Sequence, residues 1–335
     1  MPGMIGVIGA GAWGTALAKV LADKGEQVAL WCHGNDCYRG LVNERENHSY
    51  LPGILLPVSV EVTQSLERAV ADKFLVICAV PSHAVREVFA QAAALIMPAT
   101  LMLCATKGLE EGSLRTMGEL FTDLFGAASQ KRQTFLSGPT FAVEVARGLP
   151  AAVTVAAYSE EIAKAVQNVL NTPSLRVYTS ADVTGVQIGG VVKNVIAIAA
   201  GISDGLGLGQ NARAALITRG LAEMTRLAMR LGADSGTLAG LPGLGDLILT
   251  CAGDLSRNRN VGLQIARGSS LEQITAASRS VAEGVRNTRS LFSLARKLGV
   301  EMPIVEQMHA VLYLGKQPGE AVRNLMQRSL RAEAG

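Results

Sequence analysis

Gly9-Ala10-Gly11-Ala12-Trp13-Gly14 stands between an apolar run, Met4 to Ile8, and a run of helical character, Thr15 to Lys24. A GxGxxG pattern alone arises by chance in a glycine-rich chain. Placed after a strand and before a helix, each glycine has a task that a side chain would obstruct. Gly9 lets the strand turn tightly, Gly11 lets backbone approach a pyrophosphate, and Gly14 lets helix and strand pack closely. The helix start then presents unpaired N–H groups and a partial positive charge to a diphosphate. The competing reading is an ordinary glycine-rich turn in a βαβ unit. The order strand, glycines, helix favours dinucleotide binding.

The second strand, Gln27-Val28-Ala29-Leu30-Trp31, runs into Cys32-His33-Gly34-Asn35. An NAD-specific site usually carries Asp or Glu at this tip, to hold the ribose 2′-hydroxyl. None stands here, and Asp36 comes late. His33 and Arg39 are bases that suit a 2′-phosphate, although solvated loop residues would look the same. NADPH is therefore the favoured cofactor, with NADH the alternative.

Outward from this fingerprint, the first half alternates strand-like and helix-like segments. Phe74 to Val80, Thr100 to Ala105, Thr134 to Ser137, Ala151 to Ala156 and Arg176 to Tyr178 read as strands. Such alternation predicts parallel βαβ units in a doubly wound, Rossmann-type α/β sheet. Ligands of these sheets bind beyond the carboxyl ends of the strands. Pro81-Ser82, Thr106-Lys107 and Gly138-Pro139-Thr140 should therefore line one crevice with the glycine loop. After about Ala181 the spacing becomes helical, over Val183 to Ala200, Ala212 to Leu231, Ser290 to Leu298 and Ile304 to Leu314. The expected division is a dinucleotide-binding domain over 1–180 and an all-helical substrate domain over 181–330.

Composition agrees with this architecture. The 335 residues suffice for two cores, and hydrophobic residues are 49% with aromatics only 4%. An Ala, Val, Ile and Leu core suits a parallel sheet buried on both faces. The net charge of +3 is too small, and its lysines and arginines too evenly spread, for a nucleic-acid partner. Five cysteines without a CxxC pair read as reduced, packing residues of a cytoplasmic protein. Four histidines without ligand spacing predict no metal site. The N-terminus lacks the basic region of a signal peptide. Ile188 to Ile202 is the most membrane-like stretch, yet Lys193 and Asn194 stand in its middle, so a buried helix is expected and no membrane segment.

That lysine is the outstanding chemical candidate. Val186, Ile188, Val191, Val192, Val195, Ile196 and Ile198 surround it on a helix that is apolar nearly all round. Loss of hydration disfavours its charged form and moves it toward proton exchange near neutrality. A lysine that snorkels or meets a structural carboxylate is an equally weighted alternative. Asn194 follows, suited to orienting the lysine or a substrate hydroxyl. Asp246, in Leu244-Gly245-Asp246-Leu247, needs a partner among apolar residues; Lys193 or a helix start would serve. Thr250 lies one turn further on. Ser256-Arg257-Asn258-Arg259-Asn260 is a dense donor set suited to phosphate oxygens, although such clusters are more often solvated turns. Lys107, at a strand tip, offers a second cation.

Taken together, these segments resemble the bacterial NAD(P)-dependent glycerol-3-phosphate dehydrogenases. The similarity runs nearly end to end. It includes Gly9 to Ala18, Pro81-Ser82-His83, Ala105 to Glu110, Ser137 to Ala142, Lys193 to Ala197, Gly243 to Leu247, Ser256 to Arg259 and Val281 to Gly284. Val143 and Pro242 depart from the family's usual residues, away from any expected functional group. The resemblance implies reduction of dihydroxyacetone phosphate to sn-glycerol 3-phosphate, for phospholipid synthesis, by a homodimer. It implies that Lys193 exchanges the proton. Lys107, Gly138, Thr140, Asp246, Ser256, Arg257 and Asn258 would contact the phosphorylated substrate. Ala12, Trp13, His33, Lys107, Ala142, Arg257, Val281 and Glu283 would contact the cofactor. A β-hydroxyacid or phosphogluconate-type dehydrogenase, and a dinucleotide sensor without turnover, are the rival readings.

Overall fold

A computed structural model describes residues 4–277, 282–330 and 332–333. Eight strands form its main sheet: β1 Ile5–Ile8, β2 Val28–Trp31, β3 Val60–Thr63, β4 Leu75–Cys78, β5 Leu101–Cys104, β6 Gln133–Ser137, β7 Ala151–Ala157 and β8 Leu175–Ser180. Their spatial order is β8-β7-β6-β5-β4-β1-β2-β3. The chain reverses its direction of winding at β1, which pairs in parallel with both β2 and β4. A crevice outside the carboxyl ends opens at such a switch point. The fingerprint glycines and Pro81-Ser82 follow the two strands that flank it.

Strand pleating explains how the sheet is buried on both sides. Successive side chains point to opposite faces. Leu75, Ile77, Leu101 and Leu103 join one core with Ile5, Val7, Leu17 and Leu21. Val76, Cys78, Met102 and Cys104 join the other with Ile8, Phe89, Phe121 and Phe135. Strands with no solvated face must be apolar throughout, as β4 and β5 are.

One expectation about the sheet is corrected. β7 runs antiparallel to β6, with Phe135 opposite Ala156 and Leu136 opposite Val155, while β8 pairs with β7 in parallel. The far end of the sheet is therefore mixed. Two elements were not foreseen, the edge strand β3 and a short antiparallel ribbon of Glu46–Asn47 with Leu51–Leu55.

Beyond Ser180 the described residues contain helices and no strand. The first is α2, Val183–Gly205 (α1 being Ala12–Asp23), followed by α3 Gly209–Arg230, α4 Asp246–Ala252, α5 Arg257–Ala266, α6 Glu283–Leu298 and α7 Pro303–Tyr313. Asp182 caps α2, its carboxylate accepting from the Gly185 N–H at 2.7 Å. Val183 and Val186 pack into the sheet's second core, whereas Ile188 onward belongs to the helical core. The helix thus begins against the sheet and runs into the middle of the helical half. By length and composition alone α2 could cross a bilayer, but 94% of its most apolar stretch is buried inside the fold. The expected fold, a Rossmann-type α/β sheet followed by helices, is the one found.

Candidate active site

Lysines from the two halves of the chain converge on one carboxylate. Lys107 follows β5, and its Nζ donates to Asp246 Oδ2 at 2.7 Å and to the Gly138 carbonyl at 3.3 Å. Thr106, one residue earlier, donates to the Val80 carbonyl at 2.7 Å and ties this strand tip to its neighbour. Lys193, midway along α2, donates from Nζ to Asp246 Oδ1 at 2.5 Å and to Thr250 Oγ1 at 3.1 Å. Asp246 opens α4, and its carboxylate serves these lysines instead of capping the helix. Thr250, one turn on, donates to the Asp246 carbonyl at 2.6 Å.

The charges here are dry. Asp246 has 0% exposure and Lys193 6%. Burial pulls the Lys193 ammonium from its ordinary 10.5 down to about 8; Asp246 pulls it back up and Lys107 pushes it further down. For Asp246, burial acts to raise the carboxyl, but the Lys107 and Lys193 ammonium groups outweigh it and hold it below its ordinary value. Two ammonium groups against one carboxylate leave a surplus positive charge. In a site of low dielectric such a charge strongly favours an oxygen that becomes negative.

The remaining substrate-side candidates fall into two groups. Gly138, with φ of +143°, makes the turn after β6, and Thr140 Oγ1 donates to its carbonyl at 3.3 Å. Arg257 is the first residue of α5 and is exposed. Ser256 caps that helix, accepting from the Arg259 N–H at 3.2 Å. Arg259 pairs with Asp204 at 2.7 Å and Asp254 at 2.9 Å, which anchors α5 from the side. Asn194 and Asn258 do something not anticipated. Asn258 donates to Asn194 Oδ1 at 2.9 Å and accepts from the Gly284 N–H at 2.9 Å, while Asn194 donates to the Gly190 carbonyl at 3.2 Å. They join α2, α5 and the start of α6. Asn194 makes no hydrogen bond to the Lys193 amine; Asp246 and Thr250 orient that group.

On the cofactor side the fingerprint glycines divide by cause. Gly9 has φ of +116°, and a Cβ on Gly14 would lie 1.9 Å from the Gly9 carbonyl oxygen. Both glycines are required by the fold itself. A Cβ on Gly11 would meet nothing within 4 Å. The chain leaves open space where the fingerprint places a pyrophosphate, so the residues present fit a dinucleotide. Ala12 and Trp13 begin α1 and pack with Ala142 and Ala146 in one small apolar cluster. The fold thus brings Ala142 beside the fingerprint. Trp13 Nε1 is buried without a hydrogen-bond partner. His33 is exposed just past β2, its ring 5.6 Å from that of Trp31. Glu283, at the start of α6, accepts from the Ser82 N–H at 3.1 Å and from Ser82 Oγ at 2.7 Å. Val281 lies outside the described residues.

Sequence reasoning missed Asn287. It is fully buried one turn beyond Glu283, donates to the Lys107 carbonyl at 3.4 Å, and keeps Oδ1 without a partner. The only local sign was its i, i+4 spacing from Glu283 on one helix face. Ser137 Oγ, also buried and unpartnered, lies beside Lys107 where a Cβ on Gly190 would approach both.

Known proteins resemble the chain over almost its whole length. The family model described as NAD-dependent glycerol-3-phosphate dehydrogenase N-terminus matches residues 4–163, and the one described as its C-terminus matches residues 182–323. Glycerol-3-phosphate dehydrogenase (NAD(P)+) of Geobacter sp. (strain M21) is 50% identical over 329 residues, 98% of each chain. The protein of that name from Anaeromyxobacter dehalogenans (strain 2CP-C) is 51% identical over 327 residues, again 98% of each. A crystal structure of glycerol-3-phosphate dehydrogenase from Coxiella burnetii, 40% identical, matches with a TM-score of 0.93 over 97% of this chain and 99% of that one. The chain that carries this paired-lysine site belongs to the NAD-dependent glycerol-3-phosphate dehydrogenase family.

Proposed function

We propose that the chain uses NADH or NADPH to reduce the ketone of dihydroxyacetone phosphate to the alcohol of sn-glycerol 3-phosphate, with Lys193 exchanging the proton. The observation that carries this is the buried Lys193 ammonium, held at 2.5 Å by Asp246 beyond the carboxyl ends of a dinucleotide-type sheet. When bound, the nicotinamide supplies the hydride. Gly9, Gly11, Gly14, Ala12, Trp13, Ala142, Val281 and Glu283 would hold the dinucleotide, with His33 and Arg39 toward its 2′-phosphate. NADPH is favoured by the absence of a carboxylate at the β2 tip.

The side chains then divide the work. Arg257, at the N-terminus of α5, is placed for the phosphate of the substrate, with Ser256 and Asn258 beside it. Lys107, Gly138 and Thr140 approach from the sheet side. Lys193 stabilises the carbonyl oxygen as charge builds on it and delivers the proton at Nζ. Asp246 and Thr250 hold that amine in place. In the reverse direction the neutral amine takes the proton back. A boundary between a cofactor unit, 1–180, and a catalytic unit, 181–330, goes with this division; the end of the last strand at Ser180 supports it.

Steady-state kinetics on dihydroxyacetone phosphate, with NADPH and NADH side by side, test the reading. Turnover of this ketone above that of ketones lacking the phosphate is expected. Equal turnover of phosphorylated and carboxylated ketones, or none with either nucleotide, overturns it.

A further inference from the structure

Asn47, in the antiparallel ribbon, stands 37 residues beyond Ala10, yet its side chain ends inside the glycine fingerprint. Nδ2 donates to the Ala10 carbonyl and to Thr15 Oγ1, each at 2.8 Å, and Oδ1 accepts from the Tyr50 N–H at 3.2 Å. Both amide hydrogens are used, and the reverse orientation of the amide would set oxygen against the Ala10 carbonyl. Asn47 is 1% exposed. A polar side chain buried so deeply is costly unless such partners await it. The ribbon that carries it is seated on the same turn. Leu51 and Ile54 pack with Ala16, and Trp13 and Ala142 lie against that cluster. Cys37 Sγ, 3.7 Å from the Ala10 carbonyl oxygen, adds only a weak donor.

The geometry of one peptide gives this contact its consequence. The Ala10–Gly11 unit is planar and trans, so its C=O and N–H point in opposite directions. Holding the Ala10 carbonyl toward Asn47 therefore turns the Gly11 N–H away from Asn47. The next carbonyl, that of Gly11, is taken by the Thr15 N–H at 2.9 Å as α1 begins. The turn is thus fixed on both sides of Gly11, where a Cβ would meet no atom within 4 Å.

We propose that Asn47 is a positioning residue for the cofactor: by holding the Ala10 carbonyl it presents the Gly11 N–H to the diphosphate of the dinucleotide. The inference rests on the functional reading above, which puts the diphosphate at the glycine turn. Asn47 acts through the peptide and not on the reacting atoms. Without its bond the Ala10–Gly11 peptide would have to be ordered as the nucleotide binds, and that cost falls on affinity. Turnover of the bound nucleotide would be unaffected, because the Lys193 and Asp246 contacts do not involve the ribbon.

The test is a set of fluorescence and competition titrations on the full-length enzyme. The probes are NADPH, ADP-ribose and adenosine 2′-monophosphate, and thermal melts confirm folding. Asn47→Ala should lose about tenfold in affinity for NADPH and ADP-ribose, both of which carry the diphosphate. Its affinity for adenosine 2′-monophosphate, and its kcat at saturating NADPH, should match the wild type. Asn47→Ser is one bond too short for Ala10 but can still accept from Tyr50. It keeps the turn of the ribbon and should show the same loss. Thr15→Val cuts the other bond of Nδ2, leaves Ala10 held, and should bind all three probes normally. Equal weakening of all three by Asn47→Ala, or an equal loss in Thr15→Val, would mean that Asn47 only packs the ribbon, and the proposal falls. It falls alone if Gly11→Ala loses NADPH affinity and Asn47→Ala does not. If Gly11→Ala also binds at full strength, the diphosphate lies elsewhere and the functional reading of the glycine turn fails with it.

Discussion

Lys193 and Asp246 form a buried ion pair at 2.5 Å, and the second oxygen of the same carboxylate carries Lys107 at 2.7 Å. Such an arrangement is poorly explained by stability. Desolvating ions often costs more than their attraction returns, and apolar residues of similar volume commonly do as well. Proton chemistry explains it better. The carboxylate keeps a dehydrated lysine charged near neutrality, and the second lysine keeps the group as a whole positive.

Replacement of Lys193 by alanine should lower kcat for ketone reduction by about 10²–10⁴, the usual worth of a positioned acid. NADPH affinity should stay unchanged, because the fingerprint is untouched. Turnover and a fluorescence titration measure the two separately. Near-normal turnover would remove Lys193 from the mechanism.

With Lys193 at about 8, its donating form exists below that pH and is lost above it. Reduction should therefore be flat on the acid side and fall roughly tenfold per pH unit on the alkaline side. Alcohol oxidation needs the neutral amine and should rise through the same pH. Asp246→Asn removes the attraction that holds the proton and leaves burial and Lys107 opposing it. The alkaline limb should then move to lower pH, as a full rate profile would reveal.

The fingerprint glycines separate folding from binding. Gly14→Ala forces a methyl to 1.9 Å from the Gly9 oxygen and should destabilise the chain by more than about 3 kcal/mol. Gly11→Ala meets no atom of the protein and should leave the melting temperature unchanged. Its NADPH affinity should nonetheless drop at least about tenfold, near 1.4 kcal/mol. Thermal melts and titrations of both variants check this; a Gly11→Ala enzyme with full affinity would place the diphosphate elsewhere.

Glu223 on α3 gives a pH-dependent stability unrelated to catalysis. It is buried, accepts from the Ile304 N–H at 2.7 Å and the Val305 N–H at 3.4 Å, and burial lifts it from 4.5 to about 7. The folded state therefore binds more protons than the unfolded chain between those values. Stability from this group is full below the unfolded value and declines as pH rises toward 7. Glu223→Gln does not titrate. It should gain on the wild type by on the order of 1–3 kcal/mol between pH 5 and 8, visible as a widening gap between melting temperatures.

What was legible in the sequence is what depends on local pattern. β4 and β5 are buried on both faces, so their runs are apolar without interruption. β3 carries Glu61 at the sheet edge, and the ribbon contains Pro52 and Gly53, so neither reads as a strand. The reversal of β7 is invisible because an Ala and Val run carries no direction. In the site, Lys193 and Asp246 stood out as charges among apolar neighbours. The bond between Asn194 and Asn258, made across 64 residues of sequence, has no local signature. Nor does the Asn287 bond to Lys107, made across 180 residues.

Asp246 takes one of its cations from a loop of the sheet and the other from the core of the helical half. The helical portion, expressed by itself, would keep Lys193, Asp246 and Thr250 but lack Lys107 and the nucleotide loop. The reactive centre is a product of the seam, so slackening of that seam should abolish turnover while the glycine loop still captures its nucleotide.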